Sequence, residues 1–197
     1  MEDKITLRPA TEADAPFVAM VISEALDDDI MELYEQSGNR IPESRRERMD
    51  FIETVVNNPD NLYTWHHATM AVNAEGVAVG ALLAYPGDDY TRRREVSFRL
   101  FASFIENSFD PDKMDAETKP GEYYLDSLAV LPSYRGRGIG RMLLQAGIDK
   151  AKSLGRPAIL ACAPENLGAK HLYESLGFKE TYIYSLFGHP YHRMLRP

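Results

Sequence analysis

The 197-residue sequence predicts an α/β fold with a mixed β-sheet, and its second half supplies most of the evidence. Apolar, β-rich runs alternate there with amphipathic helical patterns, and this alternation of strand and helix indicates an α/β layer. The predicted strands lie at 123–131, 157–163 and 179–187, and the predicted helices lie at 138–154 and 166–176. With 44% hydrophobic residues, the chain is predicted to form one globular domain over residues 1–197.

The first third of the chain predicts a strand followed by two helices. Residues 4–10 alternate as in a short strand, and Thr11 with the acids after it is typical of a helix start. Pro16 falls in the early turns of this helix. Ser44 and Glu47 have the spacing of a capping box, which predicts that the second helix begins at Ser44.

A hairpin and a helical insertion are predicted for the middle of the chain. Residues 63–72 and 76–85 favour two strands joined by an Asn-Ala-Glu-Gly turn. Apolar side chains then recur at helical spacing within 92–107, so we expect a helical insertion at about 88–119. Residues 191–196 favour one more strand at the end of the chain.

Charge is distributed unevenly along the chain. The net charge of −8 argues against a broad nucleic-acid surface, because phosphate contacts need clustered Lys and Arg. Residues 135–156, however, contain six basic residues and one acid, while the rest of the chain carries −13. We therefore expect an anion to dock on this basic stretch and a cationic partner to approach elsewhere.

Apolar runs and cysteine usage indicate the compartment. No run of about 18 apolar residues and no cleavable apolar leader is visible, so we predict neither a membrane contact nor a signal peptide, and we expect a cytoplasmic location. The single cysteine, Cys162, lies in an apolar run and is predicted to be buried and unreactive.

The stretch YRGRGIG, residues 134–140, places three glycines and two arginines between a predicted strand and a predicted helix. The first N–H groups of a helix have no intrahelical partner, and glycines let a ligand approach the main chain, so this turn is predicted to bind phosphate. A Walker loop needs Gly-Lys-Ser/Thr, and a dinucleotide fingerprint needs G-x-G-x-x-G. Neither spacing is present.

Two motifs in this half resemble a known family. Residues 135–140 match the pattern Arg/Gln-x-x-Gly-x-Gly/Ala after a strand, and residues 166–178 match N-x-x-A-x-x-L-Y-x-x-x-G-F. In this order and separation the two motifs resemble those of the GNAT superfamily of acyl-CoA N-acyltransferases. The resemblance is close over about residues 123–179 and looser in the part of the chain before them. The resemblance implies a central mixed sheet of about six to seven strands flanked by helices. Residues 88–119 are unlike a minimal member.

The resemblance also implies where acetyl-CoA, the co-substrate, would bind. The pyrophosphate would lie on the glycine turn, and the pantetheine arm would pair with the main chain where two neighbouring parallel strands splay apart. Asn166 is expected to contact the cofactor or to cap its helix. The cofactor-binding residues implied are Leu128, Ala129, Val130, Arg135, Gly136, Arg137, Gly138, Ile139, Gly140, Arg141 and Asn166.

Acetyl transfer to an amine requires a proton acceptor for the amine and benefits from a proton donor for the departing thiolate. The resemblance places Tyr173 as that donor, although a core aromatic beside Leu172 is the plain alternative. Some family members carry a Glu at the position of Ala161, so no base is implied from them. Strand alternation makes Asp126 the first candidate base and Glu122 the second, with water as a further alternative.

Other residues favour ordinary structural roles. His66 and His67 would point to opposite faces of a strand, and no metal site is predicted. The acidic runs 27–29 and 110–117 are interpreted as solvated surface acids, although they would also attract a cationic amine. The aromatic helix at about 98–105 is interpreted as core, with an acceptor wall or a homodimer contact as alternatives.

The predicted function is therefore transfer of the acetyl group of acetyl-CoA to a primary amine, on a small molecule or a peptide, by direct attack in a ternary complex. Three alternatives stay open: a non-catalytic coenzyme A sensor, an interaction module and a transferase for a longer acyl-CoA. The sequence does not distinguish between acceptor amines.

Overall fold

Within the part of the chain that the structure describes, seven strands form one mixed sheet with the order β1-β2-β3-β4-β5-β7-β6. The structure is a computed structural model that describes residues 4–26, 29–102, 115–186 and 188–197. The strands are β1 Thr6–Pro9, β2 Ala68–Val72, β3 Ala78–Pro86, β4 Tyr123–Val130, β5 Ala158–Cys162, β6 Lys179–Leu186 and β7 His189–Arg196. The helices are α1 Ala15–Ala25, α2 Ile30–Gln36, α3 Glu43–Val56, α4 Tyr90–Ala102, α5 Ile139–Ser153 and α6 Leu167–Ser175.

Most strand pairs of the sheet are antiparallel. β1 pairs with β2, β2 with β3, β5 with β7 and β6 with β7 in this sense. β4 and β5 pair in parallel, with Tyr123 opposite Ala158 and Tyr124 opposite Ile159. The mixed sheet with flanking helices confirms the predicted fold class, and α4 lies in the segment for which a helical insertion was predicted.

The chain divides into two compact units. The first contains residues 1–84 and 127–144, and α1 packs there against α3 with Val18, Ala19 and Ile22 buried. The second contains residues 85–126 and 145–197. Strands β3 and β4 each contribute residues to both units. Whether the chain forms the single domain predicted from its length stays a prediction.

Three elements differ from the sequence-based predictions. The prediction of a capping box at Ser44 is wrong, because α3 begins one residue earlier, at Glu43, with Pro42 in the N-cap position. The strand predicted to start at residue 63 begins only at Ala68. Helix α2 was not predicted, since seven residues are too few for a clear amphipathic period.

The pair His66 and His67 therefore does not lie on a strand, and the predicted placement on opposite strand faces is wrong. The two histidines belong to a short 3-10 turn over Trp65–His67. His67 Nδ1 donates to the Leu62 carbonyl over 2.8 Å, and His66 Nδ1 lies 2.9 Å from the Thr64 hydroxyl. These local hydrogen bonds replace a strand ladder and hold the chain in the turn.

Helix α4 shows which interpretation applies to the aromatic segment. Phe98 packs against the buried Tyr184 and Leu186 of β6, so the core interpretation is confirmed for this residue. Phe104 and Ile105 lie outside the described residues.

Among the helices in the described part of the chain, none combines the length and the apolar character needed to cross a membrane.

A buried carboxylate fixes the start of α1. Asp14 is 8% exposed, and Arg8 donates to both of its oxygens over 2.7 and 2.8 Å. The Thr11 N–H and hydroxyl donate to the same carboxylate over 2.8 Å each. The hydrogen bonds from Arg8 are the main reason that the pKa of Asp14 falls from 3.8 to about 2.

We expect this interaction to stabilise the fold at neutral pH and to be lost in acid. Because the pKa is lower in the folded state, the stabilisation is complete above about pH 4 and disappears as the pH falls through 2. Asp14→Asn should lower the free energy of unfolding at pH 7 by about 2 kcal/mol. Urea titrations at pH 7 and pH 3 measure this, with the exposed Glu75→Gln as control; equal losses at both pH values would contradict it.

Candidate functional site

The glycine turn joins the end of β4 to the start of α5, and the turn itself lies within the first unit. After a 3-10 turn over Pro132–Tyr134, Gly136 and Gly138 adopt φ angles of 74° and 79°. Side chains rarely adopt these angles, so the backbone itself requires glycine at both positions. A Cβ on either glycine would have no described atom within 4 Å, so the main chain is open to a ligand.

The start of α5 supplies an electropositive environment for an anion. The Met142 N–H donates to the Gly138 carbonyl over 3.0 Å, so the N–H groups before Met142 belong to the first turn, where α-helices have no internal acceptors. The helix dipole adds a partial positive charge at the same end. The exposed Arg137 lies beside the turn, with one nitrogen 2.8 Å from the Ser133 carbonyl and its guanidinium over the Tyr134 ring.

The Arg135 side chain is held by more contacts than a mobile side chain that waits to bind phosphate would have. Its Nε donates to the Val130 carbonyl over 3.0 Å, and its Nη2 donates to Glu24 over 2.9 Å. A third contact joins Nη1 to Glu32 over 3.6 Å. The side chain therefore ties the end of β4 to Glu24 of α1 and Glu32 of α2, and the phosphate-binding role of this guanidinium stays a prediction.

The second half of β4 presents the residues implied for the pantetheine arm. Ala129 and Val130 are buried, whereas Leu128 is half-buried. A Cβ on Gly80 would lie 3.0 Å from the Ala129 carbonyl, so a larger residue there would require β3 or β4 to shift by a few tenths of an ångström. The Leu131 N–H donates to the Val79 carbonyl over 2.9 Å. The gap predicted beside Leu128–Val130 stays a prediction.

Helix α6, in the second unit, carries the other two residues implied by the family motif. The exposed Asn166 caps this helix, because its side-chain oxygen accepts the Ala169 N–H over 3.0 Å. Tyr173 is half-buried and its ring meets Phe178 edge to face, with centroids 6.2 Å apart. Burial raises the pKa of Tyr173 to about 12, so its phenol carries a proton at neutral pH.

The two candidate bases have different surroundings in the second unit. Asp126 is half-buried and accepts a hydrogen bond of 2.5 Å from the Tyr85 hydroxyl. Glu122 is buried and pairs with the buried Arg193 over 2.6 Å. Its second oxygen accepts from Thr118 over 3.1 Å. Glu122 is thus part of a buried ion pair, whereas Asp126 remains partly accessible to a ligand.

Sequence reasoning missed the most unusual carboxylate of this unit. Glu117 was interpreted as a solvated surface acid, and this is wrong because Glu117 is only 8% exposed. Its carboxylate accepts from the Tyr124 hydroxyl over 2.7 Å and from the Tyr90 hydroxyl over 3.2 Å. Burial, followed by the charge of Asp126, raises the pKa of Glu117 to about 7.

The remaining acids and the cysteine complete the comparison with the predictions. Asp115 is exposed, as expected of a surface acid. Residues 27–28 and 110–114 lie outside the described residues. Cys162 is buried and has no disulfide partner, and burial raises the pKa of its thiol, in agreement with an unreactive role. Within the described ranges, no three His, Cys, Asp or Glu side chains are grouped as metal ligands would be.

Comparison with known proteins identifies what the chain resembles. The model of the Acetyltransferase (GNAT) family matches residues 28–178. The N-alpha-acetyltransferase RimI of Mycobacterium tuberculosis is 42% identical over 64 residues, which cover 32% of this chain and 39% of that protein. The chain thus spans well under half the length of this curated relative.

Solved structures match nearly the whole chain. One acetyltransferase crystal structure is 28% identical, has a TM-score of 0.72, and covers 97% of this chain and 98% of its own. The yncA protein of Salmonella typhimurium, solved with its cofactor acetyl-CoA, is 19% identical with a TM-score of 0.52, and covers 98% of this chain and 93% of its own. At 19% identity, the similarity to the yncA protein supports a shared fold and nothing further.

Proposed function

Because the chain belongs to the acetyltransferase (GNAT) family, we propose that it transfers the acetyl group of acetyl-CoA to a primary amine by direct attack in a ternary complex. The observation that carries this proposal is the turn between β4 and α5. It combines two glycines at positive φ, an open main chain and a helix N-terminus. These features suit the pyrophosphate of coenzyme A.

The residues of the turn fit such a ligand. The N–H groups at the start of α5 would donate hydrogen bonds to the phosphates, and Arg137 and Arg141, both exposed, would add positive charge. When bound, acetyl-CoA supplies an acetyl group activated as a thioester. The main chain of Leu128–Val130 would hold the pantetheine arm through backbone hydrogen bonds.

Two arginines of the turn are expected to contribute differently. Arg135→Ala removes the hydrogen bonds that this side chain donates to the Val130 carbonyl and to the Glu24 carboxylate. The free energy of unfolding should therefore fall by about 1–3 kcal/mol. Arg137→Ala should leave stability within about 0.5 kcal/mol and weaken acetyl-CoA binding instead. Urea unfolding and calorimetric titration of both variants measure the two effects. The opposite distribution of effects would contradict these assignments.

The acceptor chemistry would depend on two side chains of the second unit. Asp126, half-buried and hydrogen-bonded to Tyr85, would take the proton of the amine, directly or through water. Tyr173 would give its proton to the departing thiolate, since its phenol, with a pKa raised to about 12, is protonated at neutral pH. The relative of M. tuberculosis carries the name N-alpha-acetyltransferase, which makes peptide N-termini one acceptor class to test.

Calorimetric titration with acetyl-CoA, followed by a thiol-release assay against a panel of amines, tests the proposed function. The panel should contain peptide N-termini, lysine, a polyamine and an aminoglycoside. Binding together with thiol release for at least one amine is the expected result. Binding without release would favour a coenzyme A sensor. Thiol release only with a longer acyl-CoA would show that the acyl donor is not acetyl-CoA. Absence of binding would refute the assignment of the turn.

A further inference from the structure

A buried carboxylate without a role in the proposed reaction is connected to the candidate base through two tyrosines. Glu117 precedes β4 and receives hydrogen bonds from two tyrosines, Tyr90 of α4 and Tyr124 of β4. The Glu117 N–H also donates to the Tyr90 hydroxyl over 3.2 Å, so backbone and side chain are both anchored. A carboxylate this buried is costly unless it is paired or protonated.

Asp126 and Glu117 are linked through a pair of tyrosine rings. Tyr85 donates to Asp126, Tyr124 donates to Glu117, and the centroids of the two rings lie 5.8 Å apart. The charges of the two carboxylates repel each other across this cluster. Such repulsion makes it harder for both groups to be ionised together, so the two titrate as one system.

Charged and titratable groups reach this cluster from each neighbouring element. One positive charge, that of Arg94 on α4, favours the ionised form of Glu117, whereas the remaining groups are phenols or the Asp126 carboxylate. The neighbours of Glu117 and of its tyrosine partners are Tyr85 of β3, Tyr90 and Arg94 of α4, Tyr124 and Asp126 of β4, and Tyr184 of β6, which in turn lies near the positive charge of Arg193 on β7.

We propose that Glu117 is a positioning residue for Asp126, a second carboxylate whose charge makes Asp126 a stronger base toward the ammonium form of the acceptor. This inference rests on the proposed function, in which Asp126 accepts the proton of the amine, and adds the role of Glu117. The ammonium is attracted to the partly accessible Asp126 and transfers one proton to the pair, which leaves a neutral amine with its lone pair. The proton later returns to solvent from the pair.

The pH dependence of kcat/KM tests this role where a merely structural residue would not change it. The wild-type profile should rise with an apparent pKa near 7, the value to which the pKa of Glu117 is raised, because Asp126 becomes the stronger base only once Glu117 is ionised. In Glu117→Gln the repulsion is absent, so this limb should move down by more than about one pH unit. The rate at pH 7 should then fall by about tenfold or more, because a weaker base accepts the proton. A profile that only scales down would overturn the proposal.

The matched control is Asp115→Asn, which removes an exposed negative charge two residues away from Glu117. Its pH profile should coincide with that of the wild type. A shift equal to that of Glu117→Gln would show a general charge effect and would overturn the specific role of Glu117.

A second variant keeps the test valid if Glu117→Gln fails to fold. The Glu117 side-chain carbon is titrated by NMR in the wild type and in Asp126→Asn, where Asp126 no longer carries charge. The apparent pKa of Glu117 should fall in this variant, and an unchanged titration would overturn the coupling even in an active acetyltransferase. A shifted titration with no thiol release from any amine would instead refute the proposed function, and with it the pair's role as base.

Discussion

Gly138→Val should abolish measurable binding of acetyl-CoA while the protein remains folded. Gly138 has a φ of 79°, an angle that a β-branched residue adopts only with strain. The valine would also place its methyl groups over the main chain that is open in the native turn. Strain and steric exclusion together should raise Kd by about 100-fold or more, which corresponds to about 3 kcal/mol. Calorimetric titration at a temperature well below the melting transition measures this loss.

The hairpin between β2 and β3 offers a control position at which valine would cause the same backbone strain. Gly76 has a φ of 81°, and a Cβ there would also meet no described atom within 4 Å. Gly76→Val should therefore lower the melting temperature by a similar amount but leave the Kd for acetyl-CoA unchanged. If both variants lost affinity equally, general destabilisation would be the cause, and the phosphate assignment would have no support from Gly138.

The turn could be located from sequence because its determinants are local. Gly136 and Gly138 need positive φ, and the amphipathic pattern of α5 begins directly after them, within one residue of the prediction. The capping of α6 by Asn166 is similarly encoded within three residues. Where neighbouring residues determine the conformation, spacing alone is sufficient.

The partners of Arg135 and Glu117 could not be predicted in this way. Glu24 lies 111 positions before Arg135, so no spacing in the sequence indicates that the two meet. Glu117 ends an acidic run that is typical of a solvated surface, and only the approach of Tyr90 and Tyr124 buries it. Burial of a charged residue is decided by tertiary packing, so the most unusual carboxylate of the second unit carried the least local signal.

Tyr173→Phe should lower kcat by about 100-fold while acetyl-CoA binds within about twofold of its native affinity. The substitution removes one hydroxyl and keeps the ring that packs edge to face on Phe178, so α6 should remain in place. Because burial raises the pKa of Tyr173 to about 12, the hydroxyl carries its proton throughout the neutral range. The proton is therefore available for the departing thiolate, and its removal should slow the chemical step rather than binding.

Tyr182 supplies the matched control, since it is a tyrosine of the same unit that is 53% exposed on β6. Tyr182→Phe should retain the native kcat and the native Kd. Single-turnover measurements separate the chemical step from product release, which would otherwise conceal the effect in kcat. If Tyr173→Phe turned over at the wild-type rate under these conditions, water would protonate the thiolate, and Tyr173 would act as the aromatic support of Phe178 that its position on α6 also permits.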